Sequence, residues 1–424
     1  MKLAYLLSEY PTLGHTYLLR EVRQLRSEGW DIQTISVRRP GPRPSPLSEA
    51  EAEELQATWY IVSSGALEHC ARHAATLAGR PLRYLRGLQT ALRFGKFRPR
   101  QTALHLAYFA EAVWAGHRLQ RAGITHIHSV YSTTVALILS RIFDVHLSMT
   151  LHGPAEFIDP VGFAIPEKVK AAELVCSISY FGCSQIMLWS SPDDWHKLKV
   201  TPLGVDPAGW TLAEFREQPS PFEFISAGRL TAIKGFPLLF EAMAELRRQG
   251  RDFRLTLAGD GPDRAMLEQQ AKRLGIANRV VFAGWKDQDE LRNLYRQSDV
   301  FVMSSFAEGV PVVLMEAMVT GVPCVAPRIN GIPELIRDGV DGLLFTASDV
   351  AELVGALGRM MDDSAMRHKM AELSRKRVAD KYDLRKNVDR QAGLLKEWMD
   401  KSREPATAAK ERTIPVELPK PPTV

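Results

Sequence analysis

The most informative stretch of the sequence is Ser304-Ser-Phe-Ala-Glu308-Gly-Val-Pro311-Val-Val-Leu-Met-Glu316-Ala-Met-Val-Thr-Gly321. A buried strand is predicted to end at Ser305. A helix is predicted to start at Pro311, because proline is favoured at the first helical position. Glu308 then lies on the loop just before the helix, where the amides of Gly309 and Val310 are free to meet an anion.

Glu316 lies inside this predicted helix, among apolar residues. A buried carboxylate without a partner is unfavourable, so its side chain needs a hydroxyl or a cation close by. One interpretation is a contact with a bound substrate. The other is a private ion pair within the same domain.

Outward from this stretch, short apolar runs alternate with helical segments, which is the pattern of β-α units on a parallel sheet. The sequence therefore predicts an α/β protein with two doubly wound, Rossmann-like domains that face each other across a cleft. Residues 40–100 are expected to be the least regular region. Strands are predicted at 2–7, 31–37, 126–130, 146–151, 173–179 and 198–203, and then at 222–228, 254–259, 279–284, 299–304, 323–327 and 342–345.

The two series of strands set the domain boundaries. The first domain is predicted to span residues 1–205 and the second residues 206–380. A helix at 381–402 follows, which we expect to cross back to the first domain. The tail at 403–424 is rich in proline and has no apolar period, so it is predicted to be disordered.

Composition excludes several classes of protein. The chain has 424 residues, of which 45% are hydrophobic and 24% charged, as in ordinary globular proteins. The four cysteines form no C-x-x-C pair, which argues against a zinc module or a disulfide framework and favours a reducing, cytoplasmic location. No apolar stretch is long enough to span a membrane. The net charge of +5 is modest, and no nucleic-acid partner is expected.

Two further motifs suggest a phosphate site. In Phe224-Ile-Ser-Ala-Gly228-Arg229-Leu-Thr-Ala-Ile-Lys234-Gly235, two cations follow a strand where a diphosphate could lie, although surface cations would look the same. Leu257-Ala-Gly259-Asp-Gly-Pro-Asp263 is half of a dinucleotide fingerprint. The next strand, which ends before Trp285, lacks the acidic residue that would hold a ribose, so an NAD site is disfavoured.

A histidine and two possible metal motifs complete the candidates. His152 follows the predicted strand 146–151, so it either lies in the cleft as a hydrogen-bonding group or is a structural histidine. His126-x-His128 has no third ligand nearby, so no metal is expected there. Asp287-Gln-Asp289 has a spacing that some sugar transferases use for a divalent ion, but its setting is that of a helix cap.

The run from Gly228 to Phe345 resembles the donor domain of retaining glycosyltransferases of family 4, which have the two-domain GT-B fold. The similar motifs are Gly-Arg-Leu-x4-Lys-Gly at 228–235, Ala-Gly-Asp-Gly-Pro at 258–262, the Glu-x7-Glu pair Glu308/Glu316, Gly-Ile-Pro-Glu-Leu-Ile at 331–336 and Asp-Gly-Leu-Leu-Phe at 341–345. The resemblance implies an acceptor-binding first domain and a donor-binding second domain.

The resemblance also implies roles for individual residues. Glu316 would bind the ribose of a nucleoside diphosphate sugar and Glu308 its sugar. Arg229 and Lys234 would neutralise the leaving diphosphate, so that no metal or other cofactor is needed. The candidate catalytic residues are His152, Glu308, Arg229 and Lys234, and the candidate donor-binding residues are Glu316, Gly309, Val310, Pro311, Gly228, Gly259, Trp285 and Gly14.

The opening Tyr10-Pro-Thr-Leu-Gly14-His15-Thr-Tyr-Leu-Leu-Arg-Glu-Val-Arg-Gln-Leu25 resembles exopolysaccharide transferases of the colanic-acid type, with Gly14-His15 in place of Ser-Glu. The acceptor is therefore expected to be a glycan or a lipid-linked saccharide. Three alternatives remain open: a sugar-nucleotide epimerase of GT-B fold, a glycan phosphorylase and a non-catalytic nucleotide-sugar-binding protein.

The stretch Arg80–Arg100 has seven cations and no carboxylate. Its leucines and aromatic residues alternate with the cations, which predicts an amphipathic surface able to lie on anionic lipid. Docking there would make the protein peripheral on the inner face of the cytoplasmic membrane. The competing interpretation is that Pro81, Gly87, Gly95 and Pro99 interrupt the helix and the aromatic residues pack beneath it.

Overall fold

The protein consists of two parallel β-sheets with helices on both faces of each sheet. The computed structural model describes residues 2–12, 15–41, 47–61, 65–96 and 98–402. The prediction of two doubly wound α/β layers is therefore confirmed. Gly14 and the tail at 403–424 lie outside the described residues.

The first sheet has seven strands in the order β3-β2-β1-β4-β5-β6-β7, all parallel. Both of its faces are covered: Ala4 and Leu6 of β1 enter one apolar cluster, whereas Leu3 and Tyr5 enter another. Its elements are β1 (Lys2–Glu9), α1 (Thr16–Ser27), β2 (Asp31–Arg38), α2 (Glu49–Ala57), β3 (Trp59–Tyr60), α3 (Ala66–Gly79), α4 (Pro81–Gly95), α5 (Pro99–Arg121), β4 (His126–Val130), α6 (Thr133–Ile142), β5 (His146–Leu151), α7 (Ala155–Ile158), α8 (Ile165–Ala171), β6 (Leu174–Ser177), α9 (Tyr180–Leu188) and β7 (Leu198–Val200).

The second sheet has six parallel strands in the order β10-β9-β8-β11-β12-β13. The order reverses beside β8, so the crevice for a ligand opens at the carboxyl ends of β8 and β11. Its elements are β8 (Phe222–Ala227), α10 (Phe236–Arg248), β9 (Phe253–Ala258), α11 (Arg264–Arg273), β10 (Val280–Gly284), α12 (Gln288–Arg296), β11 (Val300–Val302), α13 (Val312–Thr320), β12 (Cys324–Pro327), α14 (Ile332–Leu335), β13 (Leu343–Phe345), α15 (Val350–Asp362) and α16 (Ser364–Lys381), and the chain continues into α17 (Leu384–Lys401).

The last helix, α17, packs against the first sheet. Leu395, Trp398 and Met399 are buried in the same cluster as the residues of β1 and α1. Gln391 donates a 2.8 Å hydrogen bond to the buried carboxylate of Glu21 on α1. The chain therefore leaves the second sheet after α16 and ends its described part on the first.

Residues 40–100 are the region where the prediction was wrong, because helices α2, α3 and α4 occupy most of it. Pro81 and Pro99 do not interrupt a helix; each is the first residue of one, where its missing N–H is not needed. Gly87 lies within α4, and a Cβ there would come within 2.5 Å of Ile142 Cγ1. Its lack of a side chain permits close helix packing.

The two domains are in contact through the loops at the carboxyl ends of their strands. The Glu334 carboxylate of α14 accepts hydrogen bonds from the amides of Tyr180 (2.8 Å) and Phe181 (2.7 Å), at the start of α9. A Cβ at Gly309 would lie 2.5 Å from the carbonyl oxygen of His152, so only glycine lets these backbones approach. The domains are therefore closed on each other at the predicted cleft.

Candidate active site

Glu308 and Lys234, two of the predicted catalytic residues, form an ion pair. Glu308 follows β11 on the loop before α13, and Lys234 ends a single turn of 3-10 helix after β8. Lys234 Nζ donates to Glu308 Oε1 at 2.6 Å, and Asn330 Nδ2 holds the Glu308 carbonyl oxygen at 2.7 Å. The pair lies at the switch point of the second sheet, which is where open parallel sheets bind ligands.

The loop after Glu308 offers free amides, as its sequence suggests. Within the described part of the chain, neither Gly309 N–H nor Val310 N–H has a hydrogen-bond partner. Val310 is buried and Gly309 faces His152. The helix α13 starts at Val312, one residue later than predicted, and Pro311 is its N-cap residue.

Glu316 is buried within α13, and its partner comes from the other domain. Arg20 on α1 donates from Nη2 to Glu316 Oε1 at 3.3 Å. Burial raises the pKa of Glu316, and the positive charges of Arg20 and Arg292 act in the opposite direction. The interpretation of a private ion pair inside one domain is therefore wrong, because the ion pair bridges the cleft. Sequence reasoning missed Arg20, whose only signal is its place in the opening motif.

Gly228 and Gly259 bring two strand ends together. A Cβ at Gly259, whose φ is +148°, would lie 1.9 Å from the carbonyl oxygen of Gly228. Arg229 is exposed directly after Gly228, and Trp285 is half-buried directly after β10. All four residues thus lie at the carboxyl edge of the second sheet, on the same edge as Glu308.

His152 follows β5 and faces the second domain. Its side chain is buried, and neither ring nitrogen has a partner in the described part of the structure. Burial lowers its pKa to about 3, so the ring is neutral at physiological pH. The backbone turn beside it is held by Glu156, whose Oε2 accepts the Gly153 amide at 2.5 Å.

No metal cluster is found among the residues that the structure describes: no group of three or more His, Cys, Asp and Glu side chains could hold an ion. Asp287 accepts the Glu290 amide at 2.8 Å, and Glu290 in turn accepts the Asp287 amide at 3.1 Å. The helix-cap interpretation of Asp287 is therefore confirmed. His128 is hydrogen-bonded to Ser148 and Thr150 at 2.9 Å each.

Part of the positive charge of the basic stretch Arg80–Arg100 is neutralised by an ion pair. Arg80 and Arg83 both pair with Asp144, a carboxylate that lies outside the stretch. Tyr84 and Leu88 pack against the core, as the competing interpretation expects. Two other apolar side chains of α4 are exposed: Leu82 (72%) and Leu85 (52%).

The chain is similar to known proteins in its second domain and in its overall fold. The family model described as "Glycosyl transferases group 1" matches residues 212–377. Residues 212–377 are a group 1 glycosyltransferase domain. The chain is 35% identical to the alpha-D-kanosaminyltransferase of Streptomyces kanamyceticus, over 40% of its own length and 44% of that protein.

A second relative is matched over most of both chains. The amylovoran biosynthesis glycosyltransferase AmsK of Erwinia amylovora is 26% identical, over 86% of this chain and 92% of that protein. The solved structure of Anabaena Alr3699/HepE in complex with UDP-glucose has a TM-score of 0.70 at 18% identity, covering 94% of this chain and all of that chain. The predicted GT-B fold is therefore confirmed.

Proposed function

We propose that this glycosyltransferase moves a sugar from a nucleoside diphosphate sugar to a hydroxyl of a glycan or lipid-linked saccharide, with retention of the anomeric configuration. The observation that carries the proposal is the Lys234–Glu308 ion pair at the edge of the second sheet, next to Gly309, which lies against the backbone of His152 in the first domain. The name of AmsK, an amylovoran biosynthesis glycosyltransferase, supports a role in polysaccharide biosynthesis, and the UDP-glucose complex of HepE supports a nucleotide-sugar donor.

The donor would lie across the carboxyl edge of the second sheet. Glu316 would accept the ribose hydroxyls, and the free amides of Gly309 and Val310 would donate to the diphosphate. Because Arg20 now occupies Glu316 Oε1, the donor has to displace this contact as it enters. The closed contact between Gly309 and His152 means that entry also requires the domains to separate.

The leaving diphosphate would be stabilised by side chains without a metal. Lys234 is held in place by its 2.6 Å ion pair with Glu308, and Arg229 is exposed at the carboxyl end of the same strand, β8. Two preorganised cations can take the electrostatic role that a divalent ion has elsewhere. Of the two carboxylates near His152, Glu308 accepts a hydrogen bond from Lys234 and Glu156 accepts one from the Gly153 amide, so neither is an obvious nucleophile. We therefore favour attack by the acceptor on the same face from which the diphosphate leaves, with the phosphate taking the acceptor's proton.

The test is incubation of the protein with UDP-, GDP- and ADP-sugars, following nucleotide release with and without oligosaccharide acceptors. Release that depends on an acceptor, with a product of retained configuration by NMR, is expected. Turnover of the nucleotide sugar without any acceptor, giving its epimer, would instead establish the epimerase alternative. Binding of UDP without turnover of any donor would indicate a non-catalytic nucleotide-sugar-binding protein.

The proposal includes peripheral contact with an anionic membrane through α4, on the cytoplasmic face. The exposed Leu82 and Leu85 lie beside Arg86, which has no ion-pair partner among the described residues. Among the helices that the structure describes, none has the length and apolar character needed to cross a bilayer. Near an anionic surface each cation contributes about 1 kcal/mol.

Vesicle sedimentation tests this contact. Replacing Arg86 and Arg93 by glutamine should weaken binding to phosphatidylglycerol vesicles by about 2 kcal/mol, or roughly 30-fold, at low salt. The matched control is the same replacement of Arg247 and Arg248, which lie on α10 of the second domain and should leave binding unchanged. Equal binding of the Arg86/Arg93 variant and the wild type would contradict the membrane contact.

A further inference from the structure

Arg20 has more hydrogen-bonding capacity than its one contact uses. It lies on the second turn of α1, in the first domain, and 17% of its side chain is exposed. A guanidinium carries five N–H donors. Within the described part of the chain, the Arg20 side chain donates one hydrogen bond, from Nη2 to Glu316 Oε1 across the cleft. Most of its donors are therefore free to meet a ligand that enters the cleft.

The contact between Arg20 and Glu316 is also long for an ion pair. The nitrogen and the oxygen are 3.3 Å apart, whereas charge-assisted hydrogen bonds of this kind are typically about 2.7–2.9 Å. In the same site, Lys234 holds Glu308 at 2.6 Å. The planar fork of an arginine fits an anion that accepts from two of its N–H groups at once. Glu316 therefore leaves the fork of Arg20 incompletely satisfied.

Binding of the proposed donor would take this partner away from Arg20. Glu316 would accept the ribose hydroxyls, and it keeps a second positive neighbour in Arg292 of α12, whose charge also acts on its carboxylate. Arg20 has no other ion-pair partner among the residues that the structure describes. A largely buried cation without an anion is unfavourable. Arg20 therefore needs a new anion when the ribose arrives.

The donor supplies such an anion in its diphosphate. The first phosphate is bonded directly to the ribose, so a ligand whose ribose lies at Glu316 has its diphosphate close by. The helix α13 starts at Val312, four residues before Glu316, which is about 6 Å along the helix axis. Side chains on a helix are tilted toward its N-terminus, which shortens this distance. The Arg20 guanidinium thus lies about one helical turn from the free amides of Gly309 and Val310, where the diphosphate would bind.

The helix α1 adds positive potential on the same side of the cleft. It follows the carboxyl end of β1, its N-terminus has no side-chain cap, and its first turn has no acidic residue. The helix dipole places partial positive charge at this end. The side chain of Arg20 is tilted toward the same end. An anion between α1 and α13 would therefore meet positive charge from both domains.

We propose that Arg20 is a diphosphate-binding residue, which leaves Glu316 and binds the phosphates when a nucleoside diphosphate enters the cleft. Because Arg20 and the loop at Gly309 belong to different domains, this contact makes recognition of the diphosphate depend on domain closure. During transfer, the bond between the sugar carbon and the phosphate oxygen breaks, its electron pair stays on that oxygen, and Arg20 stabilises the added charge. The inference rests on the proposed transferase function and adds to it a residue that selects nucleoside diphosphates over nucleosides.

Ligand pairs that differ only in the diphosphate test this role. The pairs are uridine and UDP, guanosine and GDP, and adenosine and ADP. Their Kd values are measured at pH 8, by titration calorimetry for the diphosphates and by NMR titration for the nucleosides. The quantity compared is the ratio of the nucleoside Kd to the diphosphate Kd. The ribose is common to both members of a pair, so any change at Glu316 cancels in this ratio.

For the base that the wild type binds, Arg20→Met should lower the ratio at least tenfold, because a hydrogen bond to a charged group contributes about that much. Arg20→Lys keeps the charge but not the fork, so it should lower the ratio at least threefold. Arg23→Met is the matched control: Arg23 lies on the same helix and pairs with the exposed Glu53, so the ratio should stay within twofold of wild type.

A residue that merely blocks Glu316 gives a different result. Arg20→Met would then strengthen the binding of the nucleoside and of the diphosphate equally, and the unchanged ratio would overturn the inference. If urea unfolding shows that Arg20→Met does not fold, Arg20→Lys decides the question, and an unchanged ratio in that variant has the same meaning.

The same measurements separate this inference from the proposed function. If the ratio falls as expected but no nucleotide sugar is turned over with any acceptor, the transferase proposal fails and the role of Arg20 remains. If a donor is turned over but the ratio is unchanged, the role of Arg20 is wrong and the transferase proposal remains. If the wild type binds none of the three nucleoside diphosphates, both fail.

Discussion

The ion pair between Arg20 and Glu316 couples the two domains, and its removal should be costly. The partners are 3.3 Å apart, with 17% and 7% of their side chains exposed. At an effective dielectric constant of about 20, this separation gives an attraction of about 5 kcal/mol. Desolvation of both groups offsets part of it, so Arg20→Met should lower the free energy of unfolding by about 2–4 kcal/mol.

The assay is urea unfolding of the wild type, Arg20→Met, Glu316→Gln and the double variant, which isolates the pairwise energy. Arg23→Met is the matched control on the same helix. Arg23 pairs with Glu53, and both side chains are about half exposed, so its loss should change stability by less than about 1 kcal/mol. A coupling energy near zero for Arg20 and Glu316, or equal losses in the two arginine variants, would refute the reasoning.

The same variant has a consequence for donor binding that depends on pH. Burial raises the pKa of Glu316, and Arg20 opposes that rise, so Arg20→Met should raise the pKa further. Only the carboxylate form accepts two ribose hydroxyls. Titration calorimetry with UDP should be recorded from pH 9 down to pH 5. As the pH decreases, the UDP affinity of Arg20→Met should begin to fall at a higher pH than the UDP affinity of the wild type. Superimposable profiles would contradict the ribose role of Glu316.

Three further predictions follow from the geometry of the site. Glu316→Gln should raise the KM for the donor, because a ribose contact is shared by ground and transition states, whereas Glu308→Gln should lower kcat; an unchanged kcat in Glu308→Gln would exclude its role. Arg229→Ala should raise the barrier by about 2–4 kcal/mol in steady-state kinetics, and EDTA should leave wild-type activity intact. Burial raises the pKa of Glu156 to about 7, so the folded state binds this proton more tightly than the unfolded chain and loses stability as pH rises from about 4.5 to 7. Glu156→Gln should remove that loss, on the order of 3 kcal/mol, when urea unfolding at pH 5 and pH 8 is compared between the two proteins.

The sequence was sufficient for twelve of the thirteen strands that the structure describes, all except the two-residue edge strand β3, and insufficient for part of the helices. The strand 146–151 was predicted with the bounds that β5 has, because a buried parallel strand is a continuous apolar run between turn signals. The helix α3 was not predicted, and for α4 the sequence left open whether Pro81 and Gly87 interrupt a helix, as they suggest when they are judged locally. Gly87 is instead required by contact with Ile142, which is 55 residues away in the chain and cannot be inferred from local pattern.

The same distinction explains which site residues were found. Glu308 and Lys234 belong to motifs that each follow one strand, and strands of one parallel sheet end at a common edge, so sequence spacing was enough to bring them together. Arg20 and the Glu334 cap on α9 act across the cleft. The partners of Arg20 and Glu334 lie in the other domain, so no short segment encodes them.

The interdomain contacts also suggest why closure and the chemistry are linked. Glu334 satisfies the amides that begin α9, Arg20 neutralises Glu316, and Gly309 touches the backbone of His152. Each contact joins a residue of the second domain to a residue of the first, so opening exposes unpaired groups on both faces at once. A donor that supplies ribose hydroxyls to Glu316 would replace the Arg20 contact without leaving that carboxylate unpaired. In a site without Arg20, closure should therefore cost less free energy when a donor is bound to Glu316 than when the site is empty. Closure over the donor also excludes the water that would otherwise hydrolyse it.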